Sequence, residues 1–406
     1  MRWDTTRQRA AINEGETSMN PDSTPPSVGL NEDALARLGA SIQADIDSGK
    51  HFGASILVAR HGHVAYQASF GTVAPGRAPS GDDRYLLMSM SKAYTATLVL
   101  KAIDEGRFGL DTRIADLVPG FGALGKQRAT LRQLLAHTAG LPFGLVPPPL
   151  GLDKVGNLAV KAAAMCALPA AYSPGTKCIY TSGLGYDLLG QILVNTDPKR
   201  RGFNRIAQED LFTPLGMADS SFACPIDDPR RVPVSFTEAN VGPTTPMLLR
   251  LFNEFLDGEA EMPSGNAYST INDVFRFTEV FRGRGTAHGQ RVLSPALFDY
   301  ARQDHATGLI NDATVFEVEE RGLDDFPAHF TLLGGYIRGS GHILNATGHT
   351  ASPQSIAAVG GASTAWMIDP ERDLTVVFLS AGFIEGLRHI ERVQRINDLA
   401  IAAVDA

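Results

Sequence analysis

Cysteine is scarce in this sequence, with three among 406 residues: Cys166, Cys178 and Cys224. They are too few and too scattered for a disulfide framework, and no Cys-x-x-Cys pair offers a zinc site, so reduced thiols and a cytoplasmic location are expected. Long apolar runs are missing too. No window of roughly 18 apolar residues occurs, which excludes a membrane-spanning helix. Basic charge is in deficit, with 36 Lys and Arg against 44 Asp and Glu, a net charge of −8 and a pI near 5.7. An acidic chain attracts neither nucleic acid nor an anionic membrane, so the expected partner is a small neutral or cationic molecule. His61, His63, His342 and His349 lack His-Glu-x-x-His or comparable ligand spacing, and no metal is expected. Gly120 to Gly125 matches Gly-x-Gly-x-x-Gly but follows Val118-Pro119 and opens no βαβ unit, which argues against a dinucleotide. Gly-x-Ser-x-Gly does not occur, which removes the ordinary α/β-hydrolase elbow.

What is present describes a soluble globular chain, 44% hydrophobic and 20% charged, long enough for a large core and two lobes. Residues 1–28 carry no apolar stretch and read as a disordered tail, with Met19 as an alternative start. Asn31 to Asp47 has helical spacing (Leu35, Leu38, Ile42, Ile46) behind a capping Asn31. The runs Ala54–Ala59 and Val64–Phe70 flank His61-Gly62-His63 as a hairpin. From Gly106 to about Pro263 helical segments alternate with loops, Leu158–Ala167 and Tyr186–Val194 among them. A well-marked amphipathic helix follows around 269–282; then come three strand-like runs near 355–359, 364–368 and 374–380, and a closing helix from 385 to 404. Strands at both ends with helices between predict one antiparallel sheet built from the two termini, an α+β fold. The expected divisions are 29–105 with 265–406 as an α/β domain and 106–264 as an inserted helical one.

The stretch Leu86 to Ala96 holds the chemistry. Ser89 and Lys92 are three apart at the start of a predicted helix, about 5–6 Å at Cβ, close enough for an amine to take the hydroxyl proton. Apolar neighbours on both sides, Leu86, Leu87, Met88 and Met90, then Ala93, Ala96, Leu98, Val99 and Leu100, supply burial that activates such a lysine. Alone the motif is weak, since a chain of this length holds about one by chance. Further motifs follow in order: His137-Thr138-Ala139-Gly140, Pro174-Gly175 leading to Tyr180-Thr181-Ser182, and Gly360-Gly361-Ala362 before Trp366.

That ordered series resembles the serine beta-lactamase-like superfamily, in its branch of class C beta-lactamases, DD-peptidases and family VIII carboxylesterases, from about residue 31 to 400. The resemblance implies a beta-lactamase/transpeptidase-like fold with the active site between sheet and helical domain, and no cofactor. It makes Ser89 the acylated nucleophile, Lys92 its proton acceptor and Tyr180 the general acid/base. The backbone amides of Ser89 and Ala362 become the oxyanion hole, with Ser182, Val359, Gly360 and Gly361 against the substrate. His137 becomes a structural residue at a helix end. Two departures from the family bear on substrate. Its Tyr-x-Asn is Tyr180-Thr181-Ser182, and its Lys-Thr-Gly is Val359-Gly360-Gly361, with Gly348-His349-Thr350 as an alternative register. No cation then stands where lactamases hold a carboxylate, which favours an ester, amide or acyl-carrier substrate over a beta-lactam. The apolar segments Pro142–Leu150 and Val241–Met262 are the expected cleft walls. Hydrolysis, acyl transfer to an alcohol or amine, and an inactive binding homologue all stay open at this stage, as does the oligomeric state.

Overall fold

The computed structural model describes residues 21–405 except 313, 326, 340–344, 362 and 385. Six strands form the main sheet: β1 (Gly53–Arg60), β2 (His63–Gly71), β3 (Tyr336–Ile337), β4 (Ile356–Gly360), β5 (Thr364–Asp369) and β6 (Leu374–Ala381). Their order is β2-β1-β6-β5-β4-β3 and every neighbouring pair is antiparallel. The first and last parts of the chain meet along β1 and β6, with Gly53 opposite Ala381 and Arg60 opposite Leu374.

Six helices matter for the site: α1 (Glu32–Asp47), α2 (Ser91–Asp104), α3 (Leu158–Ala167), α4 (Leu184–Thr196), α5 (Ile271–Arg282) and α6 (Leu387–Ile401). Local chemistry sets several starts. Asn31 Oδ1 accepts from the Ala34 amide at 2.9 Å, and Thr270 caps α5 through the Asp273 amide. Helices α1 and α6 cover one face of the sheet, where Leu38, Ile42, Val393 and Ile396 pack on Ile56, Val58, Met367 and Phe378. Helix α5 covers the other, where Phe277 and Phe281 join Leu57, Trp366 and Val377. Because both faces are buried, β6 reads Leu-Thr-Val-Val-Phe-Leu-Ser-Ala rather than as an alternating strand.

Among the described residues between 106 and 264 the only strand is Ser221–Phe222, which pairs with Ala267–Ser269 in a small sheet that also takes Tyr85–Leu86. That small sheet delivers the chain to Ser89. Two expectations need correction. Ser89 does not lie within the α-helix but in a 3-10 turn, Met88–Met90, immediately before α2, with Met88 at φ 50°. Of the expected tail, 1–20 lie outside the described residues, while Pro25–Val28 forms a 3-10 turn and the Ser23 amide donates to the Val64 carbonyl at 3.1 Å. Among the described residues, no helix is long and apolar enough to cross a membrane.

Candidate active site

Ser89, Lys92 and Tyr180 come together from two separate parts of the chain. Tyr180 Oη donates to Ser89 Oγ at 2.6 Å, and Lys92 Nζ donates to the same oxygen at 3.1 Å. Lys92 is 2% exposed, and its Nζ also donates to the Ser264 carbonyl at 2.9 Å. The 3-10 turn accounts for this geometry. It presents Ser89 ahead of the first helical turn, where backbone amides have no intrahelical acceptor, and lets Lys92, one residue into α2, point back along the same face.

Tyr180 sits at a corner before α4. Its amide donates to Asn311 Oδ1 at 3.1 Å, and its ring lies 4.8 Å from that of His137 and 6.0 Å from that of Phe330, while Lys92 Nζ stands 5.0 Å from its centre. His137 supports this corner without touching Ser89. Its Nδ1 faces the Thr181 amide at 3.3 Å and must accept there, so the proton resides on Nε2. Burial, and next the Lys92 charge, hold the His137 pKa well below 6.5. Burial likewise raises Tyr186, whose ring is 5.6 Å from Lys92 Nζ, so it faces the lysine as a neutral phenol.

The strand side is set by β4. A Cβ at Gly360 would lie 2.1 Å from the Leu87 carbonyl oxygen, two residues before Ser89, so only glycine lets the strand approach this closely. Gly361 is exposed, with Met88 Cε 3.4 Å from where its Cβ would be. Val359 differs from the expected substrate contact: its side chain is buried in the cluster that α1 and α6 form behind the sheet, because alternate residues of a strand face opposite ways. Ala362, the expected second oxyanion donor, lies outside the described residues. The alternative third motif is displaced from the site: His349 and Thr350 bond to Asp398 on α6, and Gly348 abuts the same residue. Ser182 takes φ 54° and is half-buried, in a backbone bridge with Gly144.

That bridge brings one expected wall to the Tyr180 corner. Leu145 and Val146 of that wall, Leu248, Leu249 and Phe255 of the other, and Met88 beside Ser89 are partly buried against one apolar cluster that includes Val155, Leu251, Phe252 and Met262. Asn311, Ser264, Asp187 and Lys161 were not singled out by the sequence. The available signal was the lone charge in each of two apolar helices, Lys161 in Leu-Ala-Val-Lys-Ala-Ala-Ala and Asp187 in Gly-Tyr-Asp-Leu-Leu-Gly.

Three buried histidines give this molecule an acid liability. His137, His389 and His51 all titrate far below 6.5 because burial disfavours the charged ring, His51 at about 3. As pH falls through 6.5 the unfolded chain binds protons that the native rings refuse, so stability drops with falling pH down to the native pKa values. At pH 5 the loss is about 2 kcal/mol per histidine. Denaturant unfolding at pH 7 and pH 5 should show it, and an unchanged midpoint would contradict the three neutral rings.

The family model described as Beta-lactamase matches residues 38–400. "Penicillin-binding protein 4" of Amycolatopsis lactamdurans is 31% identical over 242 residues, 57% of this chain and 59% of that protein. The chain thus spans less than two thirds of that relative's length. "Putative D-alanyl-D-alanine carboxypeptidase" of Escherichia coli (strain K12) is 26% identical over 392 residues, 88% of this chain and 85% of that protein. Among solved structures, "EstCE1, a hydrolase with promiscuous acyltransferase activity" superposes with a TM-score of 0.71 at 19% identity, covering 91% of this chain and 98% of its own, and so shares the fold.

Proposed function

The chain belongs to the beta-lactamase family, among the serine hydrolases of the beta-lactamase-like superfamily, and from that premise we propose that it hydrolyses a small ester through an acyl-enzyme on Ser89. The observation that carries this reading is the convergence of Tyr180 Oη and Lys92 Nζ on one serine oxygen, at 2.6 and 3.1 Å. Ser89 Oγ attacks the acyl carbonyl as its proton passes to Lys92. The bond to the leaving alkoxide breaks, and Tyr180 gives its phenolic proton to that oxygen. Water, deprotonated in turn by the tyrosinate, attacks the acyl carbon, and the Lys92 ammonium returns its proton to the departing Ser89 Oγ. The amides of Ser89 and Ala362 are the oxyanion donors in this scheme. It needs no cofactor or metal and takes a small acyl molecule as partner, with no part for nucleic acid or a membrane. We keep the cytoplasm as its location.

Two observations support an apolar acyl group. Both expected apolar walls and Met88, next to Ser89, pack partly buried on one apolar cluster, and each methylene of an acyl group buried against such a surface would add about 0.8 kcal/mol. The family's cation position holds Val359, turned into the core, so a substrate carboxylate has no counter-charge there. The same point separates this reading from the peptide named for the Escherichia coli relative. Transfer of the acyl group to an alcohol or amine is the second reading; the hydrolase with acyltransferase activity shares the fold.

The test is an intact-mass time course with p-nitrophenyl acetate, butyrate and octanoate. The expected result is an adduct on Ser89 that decays within seconds in water, with kcat/KM rising several-fold from acetate to butyrate. An adduct that persists until an alcohol or amine is added identifies an acyltransferase. Equal rates for all three esters would overturn the apolar acyl site.

A further inference from the structure

Two charges outside the Ser89 trio are fully buried on neighbouring helices. Lys161 of α3 and Asp187 of α4 have no exposed side-chain surface, and Lys161 Nζ lies 2.5 Å from Asp187 Oδ2. A buried ion pair returns little net stability over apolar side chains of the same volume, so its presence asks for a use. The other carboxylate oxygen shows one. Asp187 Oδ1 accepts from the Ser264 amide at 3.0 Å, and the carbonyl of that same residue accepts from Lys92 Nζ at 2.9 Å. The segment is fixed from two further sides. Thr95 Oγ1 donates to the Pro263 carbonyl at 2.7 Å, and Pro263 presses on Gly190, where a Cβ would lie 2.2 Å from its Cγ.

We propose that the Lys161–Asp187 pair is a positioning device for Lys92: it holds the Ser264 peptide so that its carbonyl takes one N–H of Lys92 and aims the amine at Ser89. This rests on the acyl-enzyme reading above. Asp187 and Lys161 are positioning residues, since neither touches Ser89 or the substrate. The pair reaches Lys92 through the Ser264 peptide alone, two hydrogen bonds away, so the substitutions below are read through their change in charge. The titratable groups that face Lys92 itself are Tyr180 and Tyr186, at 5.0 and 5.6 Å from ring centre to Nζ, and His137, which burial keeps neutral. With the pair intact its charges oppose each other. Without Lys161 an uncompensated carboxylate favours the ammonium form of Lys92, and without the carboxylate the Lys161 cation disfavours it.

The experiment compares wild type with Lys161→Met, Asp187→Asn and the double variant Lys161→Met/Asp187→Asn, using p-nitrophenyl butyrate across pH. In both single variants kcat should fall about 10–100-fold at nearly constant KM, the scale of misplacing a reacting group by about an ångström. The acidic limb of kcat should move up in Lys161→Met and down in Asp187→Asn, and return close to the wild-type position in the double variant. A purely structural pair would lower thermal stability without moving the limbs in opposite senses. Folded single variants with unchanged kcat and unchanged limbs, or limbs that move together, would overturn the proposal. If a single variant fails to fold, Lys161→Met/Asp187→Leu, an apolar replacement of both charges, decides: loss of kcat when folded supports positioning, and full activity refutes it. A second readout separates this idea from the function itself. The ε-carbon NMR titration of Lys92, followed in a Ser89→Ala background, reports the opposite shifts without any turnover. Opposite NMR shifts in a protein that hydrolyses no ester would retain the positioning role and reject the hydrolase reading.

Discussion

Ser89→Ala is expected to abolish turnover, with kcat for p-nitrophenyl butyrate falling about 10⁴–10⁶-fold, the scale of losing a covalent nucleophile. The fold should survive. The Met88–Met90 turn is held by backbone bonds such as the Met90 amide to the Leu87 carbonyl at 3.1 Å, and Lys92 keeps its bond to Ser264 at 2.9 Å without the serine hydroxyl. The substitution thus removes one atom to which two donors point and little else. Intact mass spectrometry reads the result directly, as an acyl adduct on wild type and none on the variant. An adduct of equal yield on Ser89→Ala would place the nucleophile elsewhere and end the assignment.

The fold was legible wherever a periodic apolar pattern was strong. Helix α1 shows Asn31 and four apolar residues at helical spacing, β1 and β2 flank an obvious turn, and β5 and β6 are continuous apolar runs; each lies where its pattern predicts. The short pieces were not legible. The 3-10 turn at Ser89 shares the apolar composition of α2, and its left-handed Met88 has no marker in the sequence. Ser89 and Lys92 stand out by their own spacing, whereas Tyr180 depends on the motif order: it lies 88 positions beyond Lys92, and no local rule brings them together. The supporting groups were missed for the same reason. Asp187 reaches Ser264 across 77 residues, and Asn311 meets the Tyr180 amide across 131. Val359 shows the opposite failure. Motif alignment put it against the substrate, whereas strand alternation turns its side chain into the apolar layer under α1 and α6.

Tyr180→Phe should lower kcat about 10²–10⁴-fold, the usual contribution of a positioned general acid/base, and should do so unequally over the two half-reactions. The phenylalanine keeps the ring contacts to His137 and Phe330, so the corner before α4 stays in place and only the Oη–Oγ bond of 2.6 Å is lost. Lys92, still 3.1 Å from Ser89 Oγ, remains able to take the serine proton. A p-nitrophenolate leaves without needing a proton, so acylation by that ester should suffer least. An alkyl ester expels a basic alkoxide and should suffer the full loss. Deacylation requires a base at the incoming water, and a bare phenyl ring supplies none, so the adduct on Ser89 should accumulate and outlast that of wild type. Rapid-quench mass spectrometry with p-nitrophenyl and ethyl butyrate distinguishes these steps. A variant that turns over both esters at the wild-type rate would remove Tyr180 from the chemistry and leave Lys92 as the base for both half-reactions.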